Sequence, residues 1–131
     1  GFNKPVTLLI GDLAFMYDLN SLAMLKRLSK PMTIVLLNND GGGIFNYLPI
    51  AKQRKIFEEY FATPHGLTFK DVACTFNLDY ARPKTYTQTQ ETYKNALRSK
   101  KSTLIEIISD RNMNVKLQNQ IKKEINQLVK N

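Results

Sequence analysis

Two short apolar runs decide the fold: Val6-Thr7-Leu8-Leu9-Ile10 and Met32-Thr33-Ile34-Val35-Leu36-Leu37, each followed at once by a polar, glycine-containing cluster. Neither run alternates apolar with polar residues, so each needs cover on both faces, the condition of a strand inside a parallel sheet. Between them the segment from Asp18 to Leu28 predicts a helix, with Leu22, Met24, Leu25 and Leu28 supplying an apolar face and Pro31 punctuating the entry to the second run. Strand, helix, strand with both strands buried is a parallel βαβ unit.

Working outward, residues 50–60 and 69–76 read as helices, the second with Thr68 as a cap and Asp71 in its first turn. Residues 79–82 read as a short strand, 89–99 as a helix, and 103–108 as a further β run rich in branched side chains. Residues 115–129 carry Leu117, Ile121, Ile125 and Leu128 at helical spacing, which predicts an amphipathic helix whose stripe docks on the sheet. The alternation implies an α/β fold, a three-layer sandwich around a mostly parallel sheet. A chain of 131 residues that is 43% hydrophobic supports one core, and no repeat or linker divides it, so one domain over residues 1–131 is expected.

Composition narrows the function classes. The apolar runs are far too short to span a bilayer. Cys74 is the only cysteine and His65 the only histidine, so an internal disulfide and a zinc site built from His and Cys are both excluded, and a reducing, cytoplasmic setting is expected. The net charge of +8 suits nucleic acid, anionic lipid, or substrates bearing carboxylates and phosphates. The basic groups Lys52, Arg54, Lys55 and Lys94, Arg98, Lys100, Lys101 read as solvated helix faces.

The chemistry sits in the two polar clusters, Gly11-Asp12 and Asn38-Asn39-Asp40-Gly41-Gly42-Gly43, each placed where a parallel strand ends. In open parallel sheets ligands bind outside those ends. If the two strands are near neighbours, at about 5 Å per strand step, Asp12 and Asn39 can reach a common point. One carboxylate, one amide oxygen and a backbone carbonyl freed by a glycine turn are hard oxygen donors suited to Mg²⁺. With a single anionic protein ligand, such an ion has room for a diphosphate. Backbone N–H groups after Asp12 add an anion-binding element. The glycine run fails as a dinucleotide fingerprint because Asn46 stands where a third glycine should, and no Gly-Lys-Ser/Thr loop is present. His65 reads as a surface loop residue, and Cys74, beside Val72, Ala73 and Phe76, as a small buried hydrophobe.

Gly-Asp, a spacer, then Asn-Asn resembles the signature of thiamin-diphosphate enzymes; here 26 residues, 13 to 38, separate Asp12 from Asn39. Gly11-Asp12-Leu13-Ala14-Phe15, Asp18-Leu19-Asn20 and Asn38-Asn39-Asp40-Gly41-Gly42-Gly43-Ile44-Phe45, continuing to Leu48-Pro49, narrow the likeness. They resemble the 2-succinyl-5-enolpyruvyl-6-hydroxy-3-cyclohexene-1-carboxylate synthase subfamily of menaquinone biosynthesis. Phe61-Ala62-Thr63-Pro64 and Gly66-Leu67-Thr68-Phe69 extend it, while Ala14 and Tyr17 stand where the subfamily often has serine and histidine.

The resemblance implies a thiamin-diphosphate-binding fold. It implies Mg²⁺ or Mn²⁺ held by the side chains of Asp12 and Asn39 and the carbonyl of Gly41, with Gly11, Asp12, Leu13, Ala14, Asn39 and Gly41 on the cofactor and Ile44, Phe45 and Leu48 lining the substrate side. The implied reaction decarboxylates 2-oxoglutarate and adds the resulting four-carbon unit to isochorismate. The activating glutamate of that family lies in a pyrimidine-binding domain, normally of a partner subunit. The chain is therefore expected to be the C-terminal diphosphate- and metal-binding part of a longer homo-oligomeric enzyme, inactive alone, with no nucleic acid partner and no membrane span. Two rivals remain at this stage: another thiamin-diphosphate carboligase, of acetolactate-synthase type, and a basic α/β module for nucleic acid in which Asn38 to Gly41 is only a turn.

Overall fold

Unbroken apolar runs of branched residues form the strands expected of them, and the computed structural model describes residues 4–129. Along the chain the elements are β1 (Val6–Gly11), α1 (Asp12–Tyr17), a 3-10 helix (Leu19–Arg27), β2 (Met32–Asn38), 3-10 helices Gly43–Tyr47 and Pro49–Lys52, α2 (Arg54–Phe57), a π-helical turn (Glu58–Ala62), α3 (Lys70–Thr75), β3 (Asp79–Ala81), α4 (Tyr86–Arg98), β4 (Thr103–Ile108) and α5 (Arg111–Val129). Among the described residues these strands make a four-stranded sheet in the order β1-β2-β4-β3, with every pairing parallel. No helix among the described residues is long and apolar enough to cross a membrane.

The chain divides into two compact units, residues 1–38 with 67–108, and 39–66 with 109–131. The first holds the sheet. On one sheet face Ile34, Leu36 and Leu104 pack with Phe15, Leu22, Phe69, Ala73 and Leu78, contributed by α1, the 3-10 helix, α3 and the turn after it. Phe15 meets Phe69 edge-on at 5.3 Å. Successive strand residues point to opposite faces, and α4 lies against β2 and β4, with the Tyr93 hydroxyl 2.9 Å from Thr7 Oγ1 on β1. Helices on both sides of a parallel sheet are the three layers expected, but the expectation that both apolar runs are covered on two faces holds only for β2: β1 is an edge strand with Val6, Leu8 and Leu9 46%, 39% and 65% exposed.

Several local readings are corrected. The helix expected from Asp18 to Leu28 is a 3-10 helix over Leu19–Arg27, consistent with Leu19, Leu22, Leu25 and Leu28 recurring every three residues, and it is preceded by α1, which the sequence reading did not include. Thr68 does not cap α3, whose N-cap is Phe69 without a side-chain bond. Thr85 does cap α4, accepting from Gln88 N at 3.2 Å, so that helix begins three residues before the predicted start.

In the second unit Phe57 and Phe61 stack, and Phe45 meets Phe61 edge-on. The stripe on α5 does not dock as expected, since no residue of that helix is buried and Leu117 remains 57% exposed. Arg111 ion-pairs Glu58 at 2.6 Å and Lys122 lies over the Tyr47 ring, so α5 meets its unit through the face bearing these cations and the half-buried Val115. At 100° per residue, Leu117 lies about 200° round the helix from Val115. Replacing Ile34, 1% exposed in mid-sheet, by Ala is expected to lower unfolding free energy by about 2–5 kcal/mol, read from denaturant midpoints at unchanged slope.

Candidate cofactor and metal site

β1 and β2 end level. Gly11 stands opposite Leu37, so the chain leaves both strands at the same rim, by way of Asp12 from one and Asn38 from the other. That rim is the carboxyl end of a parallel sheet, where such folds take their ligands. Gly11 is the extended N-cap of α1, with nothing within 4 Å of an added Cβ. Asp12 follows it and is only 3% exposed, with Oδ1 accepting from the N–H of Leu13 at 2.8 Å. Leu13 is half-buried and Ala14 exposed.

Asn39, Gly41, Ile44, Phe45 and Leu48 belong to the second unit. Gly41 has φ +116°, and a Cβ there would stand 2.1 Å from the Ala62 carbonyl oxygen. Gly42 donates its N–H to that same oxygen at 2.7 Å. A Cβ on Gly42 would meet Phe61 O at 2.3 Å, and one on Gly43 would meet Asn39 Nδ2 at 2.6 Å. Of the three glycines in the turn, only Gly41 needs positive φ. Gly42 is glycine because two backbones touch, and Gly43 because the Asn39 amide lies over it. The Asn39 side-chain oxygen is buried. Ile44, Phe45 and Leu48 are 74%, 38% and 48% exposed, which leaves their apolar surfaces open to a ligand or another chain.

Asp40 adopts a left-handed backbone, φ +62°. Its Oδ1 accepts from the N–H of His65 at 3.0 Å and of Gly66 at 2.7 Å. His65 is thereby corrected from a surface residue: its side chain is 8% exposed, with Nδ1 3.8 Å from the same carboxylate oxygen. Cys74 is corrected in the other direction. It is exposed on α3 while its neighbour Ala73 enters the core.

One residue near the rim escaped the sequence reading. Glu106, in β4, is fully buried. Oε1 accepts from Asn38 Nδ2 at 2.7 Å, and Oε2 accepts from the Phe69 N–H at 3.2 Å and from the Tyr80 hydroxyl at 2.5 Å. Burial, and next the hydrogen bond and negative charge of Glu106, push the Tyr80 hydroxyl up from 10.0 to about 12, against a smaller opposing pull from Arg82. The available signal was one acid inside the otherwise apolar run Leu104-Ile105-Glu106-Ile107-Ile108.

The donor chemistry fits a divalent ion that carries a diphosphate. Asp12 offers one carboxylate, Asn39 an amide oxygen, and Gly41 a backbone carbonyl, all hard oxygens of the type taken by Mg²⁺ and Mn²⁺. A parallel α/β sheet with polar clusters at the carboxyl ends of adjacent strands defines a phosphate- or cofactor-binding class. Residues 2–107 match the family described as "Thiamine pyrophosphate enzyme, C-terminal TPP binding domain", and the chain belongs to that family.

Among similar proteins, the 2-succinyl-5-enolpyruvyl-6-hydroxy-3-cyclohexene-1-carboxylate synthase of Rubrobacter xylanophilus is 50% identical over 121 residues, covering 92% of this chain and 21% of its own length. That of Chlorobium luteolum is 51% identical over 115 residues, covering 88% and 20%. The chain thus spans about a fifth of the length of these relatives. Among solved structures, the thiamine diphosphate-dependent 4-hydroxybenzoylformate decarboxylase of Rhodococcus jostii RHA1 superposes with a TM-score of 0.69 at 23% identity, over 82% of this chain and 20% of that one, a likeness of fold.

Two outcomes follow from this geometry. Gly41→Ala is expected to cost at least the ~1–3 kcal/mol of a strained backbone, plus the contact with Ala62, and to speed amide exchange across residues 39–66, whereas Gly11→Ala leaves both unchanged. For Tyr80, the folded protein holds its proton up to about pH 12 while the unfolded chain releases it near 10. The Tyr80 contribution is therefore present below pH 10 and lost as pH rises from about 10 to about 12. Denaturation midpoints measured across that window should fall less steeply for Tyr80→Phe than for the parent.

Proposed function

We propose that this chain is the cofactor- and metal-binding portion of a synthase that decarboxylates 2-oxoglutarate and adds the four-carbon product to isochorismate in menaquinone biosynthesis. The observation that carries the reading is the level ending of β1 and β2, which sends Asp12 and the Asn38-Asn39 pair off one rim from adjacent parallel strands. Supporting the choice of substrates, relatives 50% and 51% identical over most of the chain bear the synthase name.

In this reading Asp12 and Asn39 hold Mg²⁺ or Mn²⁺ through their side chains and Gly41 through its carbonyl. Asp12 is the sole charged ligand, so the ion keeps positive charge for a diphosphate. When bound, the ion neutralises and templates the diphosphate while the thiamin ring supplies the electron sink for decarboxylation. Gly43 leaves room for the Asn39 amide, and Gly11, Leu13 and Ala14 present backbone to the cofactor. Ile44, Phe45 and Leu48 form an apolar wall that keeps water from the reacting carbon. The activating glutamate comes from outside residues 1–131, on a pyrimidine-binding domain of a second subunit, and the working enzyme is a cytoplasmic homodimer or homotetramer.

Titration calorimetry of the full-length protein tests the reading. Thiamin-diphosphate binding should require divalent metal, and Asp12→Ala or Asn39→Ala should weaken it by more than the ~10–100-fold typical of changes behind the ligands. Metal-independent binding, or wild-type affinity in both variants, would refute it. Salt-sensitive nucleic-acid binding that ignores Mg²⁺ would favour the basic-module rival instead.

A further inference from the structure

The segment Asn39–Gly66 leaves the sheet unit after Asn38 and rejoins it at Leu67. Its two ends are tied together by side chains. Asn38, 3% exposed, donates from Nδ2 to the Leu67 carbonyl at 2.9 Å and to Glu106 Oε1 at 2.7 Å. Two acceptors on one amide nitrogen fix which way that amide points. The other oxygen of Glu106 takes the N–H of Phe69, two residues beyond the point of return. Further out along the arms, two residues beyond Asn38, Asp40 Oδ1 takes the N–H groups of His65 and Gly66, the two residues before Leu67.

Glu106 can sit at this place because of sheet register. It pairs opposite Leu36, which makes Asn38 its diagonal neighbour on the same face, and Tyr80 on β3 is diagonal to it on the other side. A fully buried carboxylate is tolerated only when well supplied with hydrogen bonds, and here three donors converge on it. An apolar residue of similar size would fill the strand more cheaply, so stability alone does not account for an acid at this position.

We propose that Glu106 is a positioning residue for the metal site: through Asn38 and Phe69 it clamps the neck of the 39–66 segment and so fixes the backbone from which Asn39 and Gly41 project. The positioning role rests on the metal reading given above; the clamp itself does not. Glu106→Gln turns one of the two acceptor oxygens into a donor, so either the Asn38 amide or the Phe69 N–H loses the Glu106 oxygen it now meets while the side-chain volume is kept.

The test uses the full-length protein and two readouts, amide exchange across residues 39–66 and Mg²⁺-dependent thiamin-diphosphate affinity. Glu106→Gln should speed exchange in that segment and weaken affinity by ~10–100-fold. Ile34→Ala, which removes core packing in mid-β2 without touching the clamp, should lower stability and leave both readouts near wild type. If Glu106→Gln does not fold, Asn38→Ala takes its place, since Glu106 then keeps Phe69 and Tyr80 as donors, and the same two changes are expected. Exchange and affinity no more altered than in Ile34→Ala would overturn the proposal. Should Asp12→Ala and Asn39→Ala bind cofactor normally, the metal reading fails and with it the positioning role, while exchange across 39–66 still decides whether Glu106 clamps the segment.

Discussion

Parallel pairing of β1 with β2 is the constraint on which the remaining structure rests. In a parallel pair both strands deliver their carboxyl ends to one rim, and the register of Gly11 opposite Leu37 makes those ends level. Whatever follows either strand then starts at that rim. Asp12 needs only to open α1 to remain there, and the peptide after Asn38 starts one residue from the sheet. The apolar run Met32 to Leu37 places β2 inside the sheet, while Val6, Leu8 and Leu9 on the edge strand β1 stay 46%, 39% and 65% exposed; it is the parallel pairing of the two that fixes where polar chemistry can be placed.

Polar groups beneath that rim are costly and are arranged to offset the cost. Asp12, Asn38 and Glu106 are all at or below 3% exposure. Glu106 meets three donors, Asn38 gives its amide to two acceptors, and Asp12 takes the Leu13 N–H. A buried charge of this kind contributes little net stability but makes alternative arrangements expensive, because a slip of one residue in β4 would turn Glu106 to the opposite sheet face, away from Asn38 and Tyr80. The network therefore acts on register, and register determines what lies on the rim.

Much of this was legible from residues alone. The strands at 6–10, 32–37 and 103–108 were readable as continuous runs rich in apolar, branched residues, and the positions of the two polar clusters followed directly; the burial expected of such runs holds for β2 and β4 but not for the exposed edge strand β1. The 3-10 helix at 19–27 was missed because a leucine every third residue was read with the helical period of 3.6. Residues 50–60 were read as one helix but break into 3-10, α and π turns, since Pro49 opens the segment and Thr63 ends it in a left-handed conformation. The α5 stripe was legible as a pattern, yet its partner was not, because periodicity states which face is apolar and says nothing of what covers it. Asp40 went unread because its partners His65 and Gly66 contribute backbone N–H groups, which have no signature in a sequence, and Glu106 because its side-chain donors Asn38 and Tyr80 come from other strands whose register no sequence pattern states.

The triple glycine shows how far motif reading and physical reading can diverge at the same residues. As a motif, Gly41-Gly42-Gly43 is one feature, a turn that frees a carbonyl. In the structure the three do different work: only Gly41 needs positive φ, Gly42 admits the backbone of Phe61 and Ala62, and Gly43 makes space for the Asn39 amide. Any side chain at 43 would have to displace the amide or move its own backbone. Gly43 thus leaves room for the Asn39 amide, while the amide of Asn38, its predecessor, is held by the Leu67 carbonyl and Glu106. Two adjacent asparagines of identical chemistry acquire different duties because one is the last residue of β2 and faces a buried acid, and the other is the first residue beyond the sheet and faces a glycine.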